Sequence, residues 1–419
     1  MKIAVLGLGY VGMTAAACLS KQGHRVFGID VSDEKILQVN SGKSPIHEPG
    51  LDDLIKAGLE KGLISATKDL SVLAESDVAI VCVGTPSAPD GSHNMAYIAD
   101  VSRQIAAEID PQRERPLVVI YRSTIRPGTI EGLIDPIFTD RLGANSSAYE
   151  LVYNPEFLRE ATAIKDFFEP PKIVVGTRGG QRSEVIDAIN EGIDAPTFYV
   201  PFREAEFTKF VDNTFHAVKV AFANEIGRVS GLLGISAKTI SEIFLSDTKL
   251  NISPYYLRPG GAFGGSCLPK DVRALQYISA DVGAMTHLVD SLIRSNDAHK
   301  HYLFEYCSRD LAPGASVLML GIAFKSDSDD LRESPNIDLA RKLLGAGYKL
   351  SIYDPQVRPA ALLGQNLGYA FSNIPALREL LVERDDALSA HYDLVIDTRG
   401  KAEELPLQAD RIINVNTLA

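Results

Sequence analysis

The order of residues 2–30 narrows the fold more than any other feature. Lys2-Ile-Ala-Val-Leu6 reads as a buried strand, Gly7-Leu-Gly9-Tyr-Val-Gly12 as a turn, and the run towards Gln22 as a helix. Arg25 to Ile29 is a second strand, closed by Asp30. A lone Gly-x-Gly-x-x-Gly is weak evidence, but strand, glycines, helix, strand and acid in this order describe a dinucleotide-binding βαβ unit. Asp30 follows Gly9 by about 20 positions, the spacing at which an acid meets an adenine ribose. The pyrophosphate would lie on the helix N-terminus. Asp30 would accept from the ribose hydroxyls and repel a 2′-phosphate, so NAD is the expected cofactor rather than NADP.

At 419 residues the chain has room for two or three domains. A net charge of −12 with no basic tail argues against general nucleic-acid binding. Any bound phosphate must therefore meet local cations or backbone amides. Cys18, Cys82, Cys267 and Cys307 are far apart and show no metal-ligand spacing, so no metal is expected. Three of them fall at apolar helix or strand positions and read as structural. The expected setting is a reducing cytoplasm, with no signal peptide and no apolar run long enough for a bilayer.

Further strands are expected at Asp77–Val83 and Leu117–Tyr121, each ending in a hydroxylated turn, with Thr85 and Thr124. Ligands bind at the carboxyl edge of a parallel sheet, so both threonines are candidates for cofactor contact. Helix N-capping is the competing reading. Leu151–Tyr153 leads into Asn154-Pro-Glu156-Phe-Leu-Arg159-Glu160, a loop that offers carboxylates for handling water. Ile173–Val175 and Thr197–Val200 read as the last strands of this sheet. A long helix is expected from Arg203 to about Leu232, apolar enough to be buried on most sides. Its polar exceptions, Lys209, Asn213, His216 and Asn224, fall on one narrow face at about 100° per residue and suit a ligand.

Gly260-Gly-Ala-Phe-Gly-Gly-Ser-Cys267-Leu-Pro-Lys270-Asp271 follows. Pro269 suits a first helical position, which puts Cys267 at a helix start, where the dipole and a lysine favour thiolate. A thiolate beside a glycine-lined space suits a covalent nucleophile, and a small buried thiol is the plain alternative. His287–Tyr306 reads as a connecting helix. A second βαβ pattern begins at Val317–Gly321, with strands at Lys349–Tyr353, Asp393–Ile396 and Arg411–Val415, but without a full glycine fingerprint.

Together GLGYVG, VGTP, RST, NPEFLRE, Lys209 with Asn213, GGSCLPKD and GIAFK resemble the UDP-glucose/GDP-mannose dehydrogenase family over essentially the whole chain. The resemblance implies an α/β protein: two Rossmann-like domains with parallel sheets, joined by a long central helix and a helical dimerisation region. Its implied boundaries are 1–200 for NAD binding, 201–300 for the central helices and 301–419 for the nucleotide sugar. The implied reaction is a four-electron, NAD-dependent oxidation of a nucleotide sugar at C6 to the uronate. It would pass through a thiohemiacetal and a thioester on Cys267. The stretches Lys249–Gly260 and Asp329–Pro335, with His216, look like the branch that oxidises GDP-mannose. UDP-glucose and UDP-N-acetyl amino sugars are the rivals within the family. A two-electron hydroxyacid dehydrogenase and a silent NAD-binding module are the rivals outside it.

Carried over by motif, Gly7, Gly9, Tyr10, Val11, Gly12, Asp30, Lys35, Thr85, Thr124, Lys270 and Arg332 would contact NAD. Glu160, Lys209, Asn213, His216, Asn224, Gly261 and Lys325 would hold the nucleotide sugar. Tyr255, Tyr256 and Arg258 would join them, from the partner subunit of a homodimer. Among the catalytic groups, Lys209 and Asn213 would stabilise oxyanions, Asp271 would help take the alcohol proton, and Glu156 would activate the hydrolytic water.

Overall fold

The computed structural model describes residues 1–85, 94–143, 146–159, 161–253, 260–265, 268–324, 329–358, 362 and 364–417. The chain divides into two units, Met1–His216 and Ala217–Ala419.

In the first unit, eight strands form one sheet: β1 (Lys2–Leu6), β2 (Arg25–Ile29), β3 (Ile64–Thr67), β4 (Val78–Val81), β5 (Leu117–Tyr121), β6 (Tyr149–Tyr153), β7 (Ile173–Thr177) and β8 (Thr197–Pro201). Their order is β3-β2-β1-β4-β5-β6-β7-β8. The chain leaves β1 and β4 on opposite sides, so the carboxyl ends of these two strands border a crevice, the place where α/β sheets bind ligands. The strands are parallel through β6, and β7 then pairs antiparallel with β6, through Tyr153 and Gly176. The reversal was not legible from the apolar runs, which look alike in either direction.

Both faces of this sheet are covered at its centre, which is why β4 and β5 are apolar and buried along their whole length. Ile3 and Val5 pack one face with Met13 and Leu19, on the helix Tyr10–Lys21. Ala4 and Leu6 pack the other with Ile98 and Ile105, on the helix Ala96–Glu108.

The second unit holds a smaller parallel sheet of β9 (Ser316–Leu320), β10 (Lys349–Tyr353), β12 (Leu394–Asp397) and β14 (Ile412–Asn414), in the order β10-β9-β12-β14. β11 (His391–Tyr392) and β13 (Gln408–Ala409) pair separately. This unit repeats the first unit's opening turn. Gly7 and Gly321 have φ of +94° and +98°. Each donates its N–H to the last residue of the neighbouring strand, Ile29 at 2.8 Å and Tyr353 at 2.9 Å. Asp354 then accepts from Ile322 at 2.9 Å, as Asp30 does from Leu8 at 2.8 Å.

The long helix runs from Phe202 to Leu232. Its expected burial does not hold in the single chain: Phe207 is 56 % and Val220 60 % exposed. Among the described residues no helix is long and apolar enough to cross a membrane.

Candidate active site

The three glycines of the first turn do different things. A Cβ on Gly7 would lie 2.9 Å from the Cys82 carbonyl, and one on Gly12 would lie 1.8 Å from the Gly7 carbonyl. Those two allow the tight turn and the close packing of helix on strand. A Cβ on Gly9 would meet nothing within 4 Å. The space beside Gly9 is where a pyrophosphate can approach the backbone, at a helix end with no side-chain cap. Tyr10 and Val11 open that helix.

Asp30 closes β2 and is 8 % exposed. Its carboxylate accepts from the amides of Leu8 at 2.8 Å and Ser32 at 2.9 Å, and from Lys35 Nζ at 3.0 Å. Burial alone would raise its pKa, but the two amides and the lysine outweigh burial and hold it below the usual carboxylate range. Lys35, expected to meet the cofactor, therefore stands on the same acid. The residues of this turn fit an adenine dinucleotide: open space over Gly9, a helix N-terminus with no side-chain cap and an ionised acid at the second strand's end.

Among the described residues the caps of the helices that follow are Met95 and Thr129, not Thr85 or Thr124. Thr85 instead donates to the Thr124 carbonyl at 3.0 Å, and Ser123 donates to the Val83 carbonyl at 2.6 Å. These bonds tie the ends of β4 and β5 together at the crevice.

The loop after β6 is fixed by Asn154, which donates to the Val174 carbonyl at 2.8 Å. Two residues on, Glu156 meets Lys209 of the long helix. Lys209 Nζ lies 3.0 Å from Glu156 Oε1 and donates to the Glu156 carbonyl at 2.7 Å. The second carboxylate oxygen accepts from Leu158 N–H at 2.6 Å. Lys209 is 9 % exposed, and its ammonium also sits 5.5 Å from the Phe157 ring centroid. An acid and a donor of fixed direction thus share one place at the sheet's carboxyl edge. Asn213 and His216 lie further along the same helix, exposed, as does Asn224.

In the second unit the glycine-rich loop is anchored from two sides. Phe263 exchanges bonds with the Asn296 side chain, at 2.9 Å from its N–H and 2.8 Å to its carbonyl. His299 Nε2 lies 2.7 Å from the Gly260 carbonyl. On the other side a Cβ on Gly264 would lie 2.3 Å from the Glu333 carbonyl, and one on Gly265 (φ +83°) 2.7 Å from the Phe324 ring. Glu333 also pairs with Arg273 at 3.1 and 3.2 Å. The glycines are thus needed for close packing of this loop on the segments of Phe324 and Glu333. The helix that follows begins at Leu268, the residue after Cys267.

Lys270 and Asp271 are both exposed and stand 3.3 Å apart. Arg332 grips Asp330 with two bonds, at 2.9 and 2.8 Å. Gly261 is exposed, 3.7 Å by its missing Cβ from the Asn416 side chain. Cys267, Glu160, Tyr255, Tyr256, Arg258 and Lys325 lie outside the described residues. Burial pushes the thiols of Cys18, Cys82 and Cys307 up to about 12, which suits the structural reading of all three. Among the described residues no cluster of three His, Cys, Asp or Glu is placed to hold a metal.

Sequence reasoning missed Glu48, Asn296, His299 and Glu333. Asn296 and His299 carried a usable signal: they are three apart on one helix, hence neighbours on one face. Glu48 had none, because its partners are far away in the chain. At the carboxyl edge of the second sheet a pocket of about 200 Å³ is lined by Leu320, Tyr353, Pro355, Arg399, Lys401 and Glu404, among others.

Three family models match in sequence order. They describe the UDP-glucose/GDP-mannose dehydrogenase family's NAD binding domain (residues 1–194), central domain (203–298) and UDP binding domain (318–396). The chain is 42% identical over 398 residues to the GDP-mannose 6-dehydrogenase of Pseudomonas putida, covering 94% of this chain and 90% of that one. A crystal structure of a ternary complex of GDP-mannose dehydrogenase from Pseudomonas aeruginosa superposes with a TM-score of 0.89 at 41% identity, covering 96% of this chain and 92% of that one. A UDP-glucose dehydrogenase from Pyrobaculum islandicum gives 0.57 at 30% identity, covering 100% and 98%. With a dinucleotide turn that fits NAD and this likeness from end to end, the chain belongs to the UDP-glucose/GDP-mannose dehydrogenase family of NAD-dependent nucleotide-sugar oxidoreductases.

Proposed function

We propose that the enzyme oxidises the C6 alcohol of GDP-mannose to the carboxylate of GDP-mannuronate. The observation that carries the choice of sugar is the contrast in likeness, 0.89 to a GDP-mannose enzyme against 0.57 to a UDP-glucose enzyme. NAD at the glycine turn supplies a hydride acceptor for each of two oxidation rounds. Asp271, or a water beside it, takes the alcohol proton together with Lys209. Lys209 and Asn213 donate to the oxygen as negative charge develops on it. The Cys267 thiolate adds to the aldehyde carbon, and protonation of the resulting alkoxide gives a thiohemiacetal. This becomes a thioester when its carbon loses a second hydride and its hydroxyl gives up the proton to the same base. Glu156 directs water onto the thioester, and the C–S bond breaks to release carboxylate and thiolate.

The same reading assigns Glu160, His216, Asn224, Gly261 and Lys325 to the nucleotide sugar. Lys270 and Arg332 would reach the cofactor. A homodimer, with Tyr255, Tyr256 and Arg258 contributed by the second subunit, accounts for the exposed apolar side chains of Phe215, Val218, Val220 and Ile243. Division into 1–200, 201–300 and 301–419 accords with the residues matched by the three family models.

The test is NADH production with GDP-mannose, UDP-glucose and UDP-N-acetylmannosamine. GDP-mannose should yield two NADH per sugar and exceed the others in kcat/KM by about a hundredfold, because a site that hydrogen-bonds one base leaves polar groups unpaired with another. Equal or better turnover of a UDP-sugar would reassign the substrate.

A further inference from the structure

Glu48 plays no part in the site as described so far. It lies in the turn His47-Glu48-Pro49-Gly50, before the helix Leu51–Glu60, and is 7 % exposed. Three donors converge on its carboxylate. Oε2 accepts from the Tyr10 hydroxyl at 2.5 Å and from Ala161 N–H at 2.9 Å. Oε1 accepts from Ala163 N–H at 2.9 Å. The Tyr10 hydroxyl also stands 3.3 Å from the Arg159 carbonyl.

The two ends of this network differ in kind. Tyr10 is the first residue of the helix whose N-terminus fits the pyrophosphate. Ala161 belongs to the loop that carries Glu156, and Ala163 opens the short helix Ala163–Phe168 in which that loop ends. Ala161 has φ +67°, a conformation that a residue with a Cβ keeps only where its surroundings impose it. Glu48 imposes it from one side. From the other, Asp166 accepts from the Arg159 guanidinium at 3.0 and 2.6 Å and from Arg159 N–H at 2.9 Å.

We propose that Glu48 is a positioning residue that couples occupancy of the dinucleotide turn to the geometry of the Glu156 loop. A dinucleotide on the helix start fixes Tyr10, the hydroxyl fixes the carboxylate, and the carboxylate fixes the amides of Ala161 and Ala163. Both ends need the same buried carboxylate held in one place, so ordering it from one end lessens the cost of ordering it from the other. Coupling of this kind is reciprocal: an ordered loop strengthens dinucleotide binding by the factor by which the dinucleotide orders the loop. The proposal rests on the nucleotide-sugar dehydrogenase reading only for why that loop matters to catalysis.

The test is hydrogen exchange with and without NADH, in the native enzyme, Glu48→Gln and Tyr10→Phe. In the native enzyme NADH should slow exchange of the peptide spanning 157–165 by about tenfold, the scale of one charge-assisted hydrogen bond. In both variants that slowing should vanish, while NADH still protects the peptide containing Gly7–Gly12. Glu48→Gln should also lower kcat by about tenfold and weaken NADH binding by about the factor of loop protection that is lost, since the coupling is reciprocal. The exchange comparison is therefore made at saturating NADH. Tyr10→Phe removes one hydroxyl and decides the matter alone if Glu48→Gln does not fold. Unchanged loop protection in the folded variants, or none in the native enzyme, would overturn the coupling. Absence of turnover by the native enzyme with every nucleotide sugar would strike the substrate reading instead, and leave the exchange result to stand.

Discussion

Lys209 holds Glu156 twice, by an ion pair of 3.0 Å to its carboxylate and a 2.7 Å bond to its backbone carbonyl. The donor and the acid assigned to separate halves of the reaction are therefore one mechanical piece. Removing the lysine does more than delete an ammonium, because it frees the carboxylate to move.

Lys209→Ala should lower kcat by about 10²–10³, the usual loss when one oxyanion donor is removed. NAD affinity should change little, since the lysine lies outside the glycine turn. Steady-state kinetics with a melting curve would check this. A lower melting temperature with intact kinetics would make Lys209 structural.

Asp30 carries one prediction about cofactor choice and another about acid tolerance. NADP should support far less turnover than NAD, and comparable rates would remove the ribose-acid reading. The folded pKa of Asp30 is depressed: burial raises it, but the amides of Ser32 and Leu8 and the ammonium of Lys35 lower it further. Its contribution to stability is therefore present above the unfolded pKa of about 3.9 and is lost as pH falls through the lower folded value. Asp30→Asn should cost stability at pH 7 and flatten the acid limb of a melting-temperature profile.

The first βαβ unit was legible because its glycines and acid act within about thirty residues of one another, close enough for spacing to carry the geometry. The pairing of Lys209 with Glu156 was only half legible. Each residue stood out on its own element, but nothing local told the loop to meet the helix. Glu48 was illegible for the same reason, since its donors come from Tyr10 and from Ala161 and Ala163. The exposed apolar faces of the long helix looked like core, because periodicity marks an apolar face without saying what covers it.

Those apolar faces lead to a prediction about assembly. Val220→Asp should weaken the proposed dimer in sedimentation, as Val220 is 60 % exposed and a charge there would be costly to bury. If Arg258 serves the neighbouring subunit, mixing Arg258→Ala with Cys267→Ala should restore activity that neither variant has. One site of each mixed dimer then holds both native residues, giving about a quarter of native activity at random exchange. No recovery after confirmed exchange would put Arg258 in its own chain's site.

Cys267 decides whether the reaction is covalent. The first hydride transfer, alcohol to aldehyde, needs no nucleophile. The second does, because a carbonyl carbon gives up a hydride only after addition has made it tetrahedral. Cys267→Ser should keep substrate and NAD binding, yet its hydroxyl is a weak nucleophile at neutral pH and an ester would hydrolyse more slowly than a thioester. Steady-state turnover should collapse, with at most a small first burst of NADH. Native enzyme quenched during turnover should show, by mass spectrometry, a substrate-sized addition on the peptide carrying Cys267. The thiols of Cys18, Cys82 and Cys307 are pushed up to about 12 by burial, so adduct on their peptides is not expected. A near-normal yield of two NADH per sugar from Cys267→Ser would sink the covalent route. The close packing of Gly264 and Gly265 on Glu333 and Phe324 would then be the whole reason for that glycine-rich loop.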